Sequence, residues 1–511
     1  MRVPLARLFV AVVAIFALLG SGIALAAPPR NDDLDDAKVV GRLPYTDALD
    51  TRQATRGTGD SGCGFRPRRS VWYSFTPRSD GWFRLDTEGS SYHTVLSVSS
   101  GPMANLTQIA CAHHNARRGT SRLVMELVEG TTYRIMVGGE CCFNRNRLTF
   151  SVRRSNPGCD NQEATILGTD GDDTIIGTED SDVIVALGGE DSIEGRGAPD
   201  VACGGVGEDT IQGGSGNDLL LGGENDDSLL GGFGSDRVLG EEGSDILDGG
   251  EGSDRIVDVS DGNDQFVGGP GSDDMRSGPG NDSYNGGPRE DFLSFGGGVT
   301  AIDASLLAGL ISFDTFTQTV SNVESILGTA GPDTLIGDTE SNVLFGDEGD
   351  DEIDGGDGDD FLLGGDGANT ISGGAGTDEI EAFGESGASS VVSGGDGNDL
   401  IFGSPGADDL SGDAGRDVIF GGSGIDNLDG GTGDDFLDGL GGADVMDGGP
   451  GGDELVGGGR GDDMSGGLGD DSLSGGDGND TLDGGPDFDW LSGGPQVDAC
   501  LNGEQLQGCE P

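Results

Sequence analysis

The sequence predicts an all-β protein: an N-terminal β-sandwich followed by a long parallel β-roll. Three observations carry that expectation. From Asp173 an aspartate recurs every ninth residue, through Asp182, Asp191, Asp200, Asp209, Asp218, Asp227, Asp236, Asp245 and Asp254. Two residues after each stands Ile175, Ile184, Ile193, Ala202, Ile211, Leu220, Leu229, Val238, Leu247 or Ile256. Charge divides the chain at about residue 160. Residues 1–159 hold 20 of the 27 Lys+Arg and 13 of the 93 Asp+Glu, a balance of +7, against -73 for residues 160–511. One apolar residue per nine, held in phase, is the pattern of stacked repeats rather than of a single globular core.

The first element expected is an export signal over residues 1–26. Arg2 and Arg7 supply its positive start, Leu8 to Leu19 its apolar run, and Ala24-Leu25-Ala26 its small-residue cleavage site. No later segment is apolar enough to span a bilayer, so no transmembrane segment is expected after cleavage. Eight cysteines in an exported chain point to disulfides.

Residues 27–155 read as the sandwich. Apolar residues alternate at Val71, Tyr73, Phe75; Leu123, Met125, Leu127; Tyr133, Ile135, Val137; and Leu148, Phe150, Val152. A period of two implies strands with one face inward. Asn31-Asp32-Asp33-Leu34, Ser70-Val71-Trp72-Tyr73-Ser74-Phe75-Thr76-Pro77, Thr94-Val95-Leu96-Ser97-Val98 and Gly130-Thr131-Thr132-Tyr133 resemble the pre-peptidase C-terminal family of secreted β-sandwiches. That family's domain usually accompanies a peptidase; no peptidase motif occurs here. Arg66, Arg68, Arg69, Arg117, Arg118, Arg145, Arg147, Arg153 and Arg154 make this part basic. Converging on one face, they would suit an anionic glycan or another cell-surface component; scattered, they are solvated charge.

Residues 156–167 read as a linker, and a first array of repeats as 168–294. One extra residue near Asp258 shifts its phase, so the next aspartates are Asp264, Asp273, Asp282 and Asp291. Residues 295–327 carry Val299, Ile302, Leu306, Ile311 and Val323 and read as a strand-rich spacer that continues the solenoid without a metal site. The second array, 328–498, holds Asp333, Asn342, Asp351, Asp360, Asn369 and Asp378, then an insertion around 383–389. An unbroken run follows: Asp399, Asp408, Asp417, Asp426, Asp435, Asp444, Asp453, Asp462, Asp471, Asp480, Asp489 and Asp498. That makes 32 repeats, 30 with aspartate. Residues 499–511 read as a cap closed by Cys500–Cys509, with Cys500 in the apolar column. Cys159 and Cys203 would pin the linker to the first array, and the pairing of Cys63, Cys111, Cys141 and Cys142 stays open among three alternatives.

Each nonapeptide reads as a tight glycine loop followed by a three-residue strand. The loop needs backbone angles with φ > 0, which a Cβ penalises. So sharp a reversal leaves loop carbonyls without backbone partners. A hard cation satisfies carbonyls and carboxylates together: calcium takes about six to eight oxygens at ~2.3–2.6 Å. The expected ligands are therefore the 32 repeat residues named above. Asn342 and Asn369 are expected to be weaker because an amide carries no charge. Repeats i and i+2 stack at ~4.8 Å, giving roughly 34 Å for the first array and roughly 43 Å for the second. On the order of twenty calcium ions would be held, offsetting more than half of the negative charge. Without them, repulsion and chain entropy are expected to keep the arrays unfolded.

Over residues 168–498 the repeats resemble the repeats-in-toxin (RTX) family, which implies calcium-triggered folding after export. Many members leave by a one-step exporter without a cleavable signal; this chain is expected to use the general secretory route. An acidic tail of this size repels nucleic acid and anionic membranes, so no nucleic-acid partner is expected. No H-E-x-x-H, G-x-S-x-G or phosphate loop occurs. The sequence thus points to a secreted, non-enzymatic calcium-binding protein, a surface or matrix structural or adhesion module. The alternative is a hydrolase or substrate-attachment protein with its site in residues 31–155 and the roll as a folding and secretion aid.

Overall fold

The computed structural model describes residues 34–51, 54, 69–88, 90–91, 93–101, 106–113, 120–139, 147–155, 157–384, 387–503 and 505–509. The expected signal at 1–26, with Cys63, Cys141 and Cys142, lies outside them. Two compact units divide the chain, Met1–Thr165 and Ile166–Pro511.

In the first unit, β1 (Lys38–Val40), β3 (Arg69–Phe75), β8 (Tyr133–Gly139), β5 (Thr94–Ser100) and β6 (Thr107–His113) form one sheet in that order. The second sheet orders β2 (Tyr45–Asp50), β9 (Arg147–Arg154), β4 (Gly81–Asp86) and β7 (Arg122–Leu127). Val71, Tyr73, Ile135 and Val137 from one sheet and Leu85, Leu123, Leu148 and Phe150 from the other share one buried core. This is the β-sandwich the alternation predicts. Strand β3 differs in one respect: Trp72 and Ser74, on its second face, are buried as well.

Residues 158–163, within the segment read as a linker, form a hairpin of β10 (Gly158–Cys159) and β11 (Gln162–Glu163). Glu163 fastens it to the sandwich through Arg153 at 2.5 Å and Arg84 at 3.4 Å. Two of the basic residues are thereby engaged internally, since Arg154 also lies over the Phe83 ring at 5.1 Å. Arg66, Arg68, Arg117, Arg118 and Arg145 fall outside the described residues.

The second unit is a parallel β-roll with sheets of 19 and 20 strands, successive repeats alternating between them. Stacking partners lie 18 residues apart, as in Ile211↔Leu229 on one sheet and Leu220↔Val238 on the other. The apolar column closes the interior: Ile184, Leu220, Val238, Leu247 and Ile256 are all fully buried. One side chain per nine suffices because each is walled by its neighbours above, below and across.

Both sheets pass without a break through residues 295–327. On one, Phe292–Phe295 pairs directly with Ser325–Leu327. On the other, Asp303–Ser305, Leu310–Phe313 and Phe316–Ser321 form an antiparallel meander whose outer strands pair in parallel with the roll. Ile302, Ala304, Ile311, Phe313, Val320 and Val323 join the same core, so the two arrays form one stack. The final turn ends at Ala499–Leu501 and Gln505–Gln507. There Cys500 packs against the core and bonds Cys509, with Cα atoms 5.7 Å apart. Cys111, Cys159 and Cys203 are also disulfide-bonded.

Candidate metal centres along the roll

The repeat aspartates form two ladders, one under each row of loops. In the regular rung a backbone N–H donates to Oδ1 of the aspartate 18 residues on. Asp200 N reaches Asp218 Oδ1 at 2.8 Å, Asp218 reaches Asp236 at 2.7 Å, and Asp435 reaches Asp453 at 2.8 Å. That bond fixes the side chain and turns Oδ2 inward. In more than twenty ladder aspartates, among them Asp200, Asp218, Asp236, Asp435 and Asp453, Oδ2 is buried without a hydrogen-bond partner. Native proteins rarely leave buried polar atoms in this state.

Most of these inward oxygens face a glycine, in a space that a side chain would fill. A Cβ on Gly430 would lie 2.7 Å from the Gly448 carbonyl oxygen and 2.8 Å from Asp435 Oδ2. At Gly448 the same construction meets Asp453 Oδ2 at 2.6 Å and the Gly466 carbonyl at 2.7 Å. Glycine is thus required there by convergent oxygens, and at the next residues, Gly431 and Gly449, by a φ of 91°. The donor set, carboxylate plus carbonyl with no nitrogen or sulfur, suits a hard divalent cation such as calcium. The residues present therefore fit the ion their spacing implies.

Electrostatics agree. Burial, with neighbouring carboxylates adding to it, pushes Asp227 up to about 8 and Asp236, Asp378, Asp417 and Asp453 up to about 7. These rungs therefore resist carrying their charge unless a proton or cation compensates it.

In five aspartates protein donors satisfy the inner oxygen. At Asp173, Asp182, Asp333 and Asp408 the residue four before is Thr169, Thr178, Thr329 or Ser404, and its backbone N–H donates to Oδ2 at 2.5–2.8 Å. Their hydroxyls add further bonds to the same carboxylates. At Asp282 the inner oxygen accepts from Ser277 Oγ at 2.8 Å, Tyr284 OH at 3.2 Å and Gln318 Nε2 at 2.8 Å. Asn369 spends both amide atoms on the backbone, accepting from Asp351 N and donating to Gly365 O. Asn342 accepts from Asp338 N, which leaves its Nδ2 as the buried atom without a partner.

Three further residues occupy rungs that counting by nine passes over. Glu324 Oε2 accepts from Asp291 N at 2.9 Å, although 33 residues separate them. Ser390 takes the rung above Asn369, accepting its N–H at 3.3 Å and donating its own to Asp408 Oδ1 at 2.7 Å. Gln318 lines up with Asp282 across the spacer. A signal for the first two was present, since each stands two residues before a buried apolar residue, Ile326 and Val392. Insertions upstream displaced them from the running count.

Among known families, the RTX calcium-binding nonapeptide repeat (4 copies) matches residues 167–202, 204–238, 221–256, 258–293, 327–362, 354–382, 387–419, 420–455 and 456–491. No curated protein matches the chain. The resemblance of residues 31–153 to the pre-peptidase C-terminal family rests on its short motifs alone.

Proposed function

This chain belongs to the RTX calcium-binding nonapeptide repeat family, and from that membership we propose that it is a secreted, non-enzymatic protein whose roll folds around calcium after export. The single observation that carries the proposal is the double ladder of buried aspartate oxygens without partners. A buried unsatisfied polar atom costs about 1–3 kcal/mol, and more when charged. More than twenty of them exceed the roughly 5–15 kcal/mol of net stability of an ordinary domain. Calcium, when bound, supplies the positive charge and the coordination these oxygens lack.

The ligands we propose are the rungs with an inward oxygen, including Asp191, Asp200, Asp209, Asp218, Asp227, Asp236, Asp245 and Asp254 in the first array and Asp417, Asp426, Asp435, Asp444, Asp453, Asp462 and Asp471 in the second. Asp173, Asp182, Asp282, Asp333 and Asp408 instead hold their register through protein donors and need no ion. The arrangement supports a spacer or adhesion role at a cell surface or in a matrix, because a long stack switched on by calcium is rigid outside the cell and export-competent within it. Extracellular calcium modules have dissociation constants of ~10⁻⁴ to 10⁻³ M, in keeping with that switch.

The test is protease protection and far-ultraviolet circular dichroism of the purified chain against free calcium. A cooperative coil-to-β transition with a midpoint between about 0.1 mM and a few millimolar is expected. Magnesium should not replace calcium, because it holds its waters and demands a small octahedral site. A roll already β-rich in chelator at neutral pH, or protected at submicromolar calcium, would refute the proposal.

A further inference from the structure

The one place where the nine-residue period slips inside the first array also gathers three carboxylates. Asp258 stands 18 residues after Gly240, where the regular rungs carry another glycine, as at Gly222 and Gly240 themselves. Its backbone keeps the ladder, donating to the Arg276 carbonyl at 2.9 Å. Its Oδ1 is held by Ser260, through N–H at 2.9 Å and Oγ at 2.7 Å. Its Oδ2 is buried, without a hydrogen-bond partner, and turned into the Gly240 cradle beside Asp245 Oδ2, which is in the same state. In the preceding cradle of the same sheet, at Gly222, one carboxylate oxygen, from Asp227, meets the Gly240 carbonyl; at Gly240 a second carboxylate takes the carbonyl's place. Asp264, the next rung, receives the N–H of Asp245 at 2.8 Å across 19 residues rather than 18. One oxygen from each of Asp245, Asp258 and Asp264 lies within 4.8 Å of the other two. Two oxygens bound to one calcium at ~2.4 Å can be at most about 4.8 Å apart, so the three oxygens meet the spacing that a shared ion requires.

We propose that Asp258 completes a three-carboxylate cation site with Asp245 and Asp264, different in make from the repeat sites around it, and that calcium fills it first. The chemistry is that of a hard divalent cation, and calcium affinity rises with the number of charged ligands. Asp258 is 2% exposed, so water cannot screen its charge. The extra residue after Asp258 is then the feature that brings a charged side chain to a place where the repeat otherwise carries glycine or a small neutral residue such as Ala186 or Ser277. Once filled, the site offers a fixed turn on which the flanking repeats stack, which gives calcium-driven folding a defined starting point.

The inference rests on the calcium reading above, and the two can fail separately. The metal-free full-length chain is titrated with calcium by calorimetry in the presence of a competing chelator. The wild type should show about one ion bound ten-fold or more tighter than the rest. Asp258→Asn and Asp258→Gly should each lose that tight class while keeping the bulk uptake and the β-sheet signal in saturating calcium. Hydrogen exchange on the unaltered chain supplies a readout that does not depend on how a variant folds: residues 237–264 should be protected at the lowest calcium concentrations. A wild type without a tight class, variants that retain it, or protection that begins elsewhere would each overturn the site. A chain that takes up no calcium at all would overturn the calcium reading instead.

Discussion

Whether an aspartate binds calcium should depend on what its inner oxygen already touches, and two sets of substitutions separate the cases. In the first, Asp417, Asp435, Asp453 and Asp471, consecutive rungs of one ladder, are changed to Asn. In the second, Asp173, Asp182, Asp333 and Asp408, whose inner oxygens accept protein N–H groups, are changed likewise. Asparagine keeps the oxygen that accepts the rung bond, such as Asp417 N to Asp435 Oδ1 at 2.8 Å, so the ladder itself survives in both sets. What the first set loses is four charges that face convergent carbonyls. At a calcium concentration ten times the dissociation constant, each lost site removes roughly 1.4 kcal/mol, so four remove roughly 6 kcal/mol. That is comparable with the whole net stability of a domain. The second set loses the charge-assisted hydrogen bond to the inner oxygen, because the amide nitrogen in its place donates and cannot accept, at about 1.5–3 kcal/mol each, but it removes no ion. Denaturation in saturating calcium therefore reports a loss in both. The discriminating measurement is bound calcium per chain by equilibrium dialysis and elemental analysis. It should fall by about four in the first set and stay constant in the second, with the calcium midpoint for folding rising only in the first. Equal losses of calcium in both sets would refute the division of the ladder into ion-holding and self-satisfied rungs.

Three further outcomes follow from the same geometry. Asn342→Asp replaces a buried amide nitrogen that has no partner with a carboxylate oxygen, while the inner oxygen keeps the Asp338 N–H; bound calcium per chain should stay constant, as for the other rungs whose inner oxygen accepts a protein N–H, and a gain of one ion would count against the reading. In the metal-free chain the raised carboxyls, Asp227 at about 8 and Asp236 and Asp453 at about 7, bind protons more tightly folded than unfolded. Their contribution is fully present below the unfolded value near 4 and is lost as pH rises through about 7 to 8, so β-sheet signal in chelator should be greater at pH 5 than at pH 8; the reverse order would be wrong for this ladder. Leu440 sits at φ 62°, where most equivalent loops carry glycine; Leu440→Gly should raise stability in calcium by about 0.5–1 kcal/mol, measured by denaturant unfolding, and a loss of that size would show that the side chain contributes contacts outweighing its strain.

The nine-residue spacing by itself determined that the second unit is a parallel roll, which column faces inward, and which residue type lines the loops. Those properties follow from a local rule repeated in phase: a glycine turn, an aspartate, and an apolar residue two places on, as at Asp218 and Leu220. The alternation through Leu148, Phe150 and Val152 likewise sufficed for a sandwich strand. Only the tertiary structure decided which aspartates are left with a free oxygen. Asp173 and Asp218 occupy the same place in the repeat, yet Thr169 satisfies the first and glycine leaves the second open. It also decided that Glu324 and Ser390 belong to the ladder, and that Asp258 meets Asp245 and Asp264. The reason is that rungs are joined by hydrogen bonds between strands rather than by distance along the chain. A loop of any length that returns the next strand to its neighbour restores the register, and counting residues loses it at the first insertion.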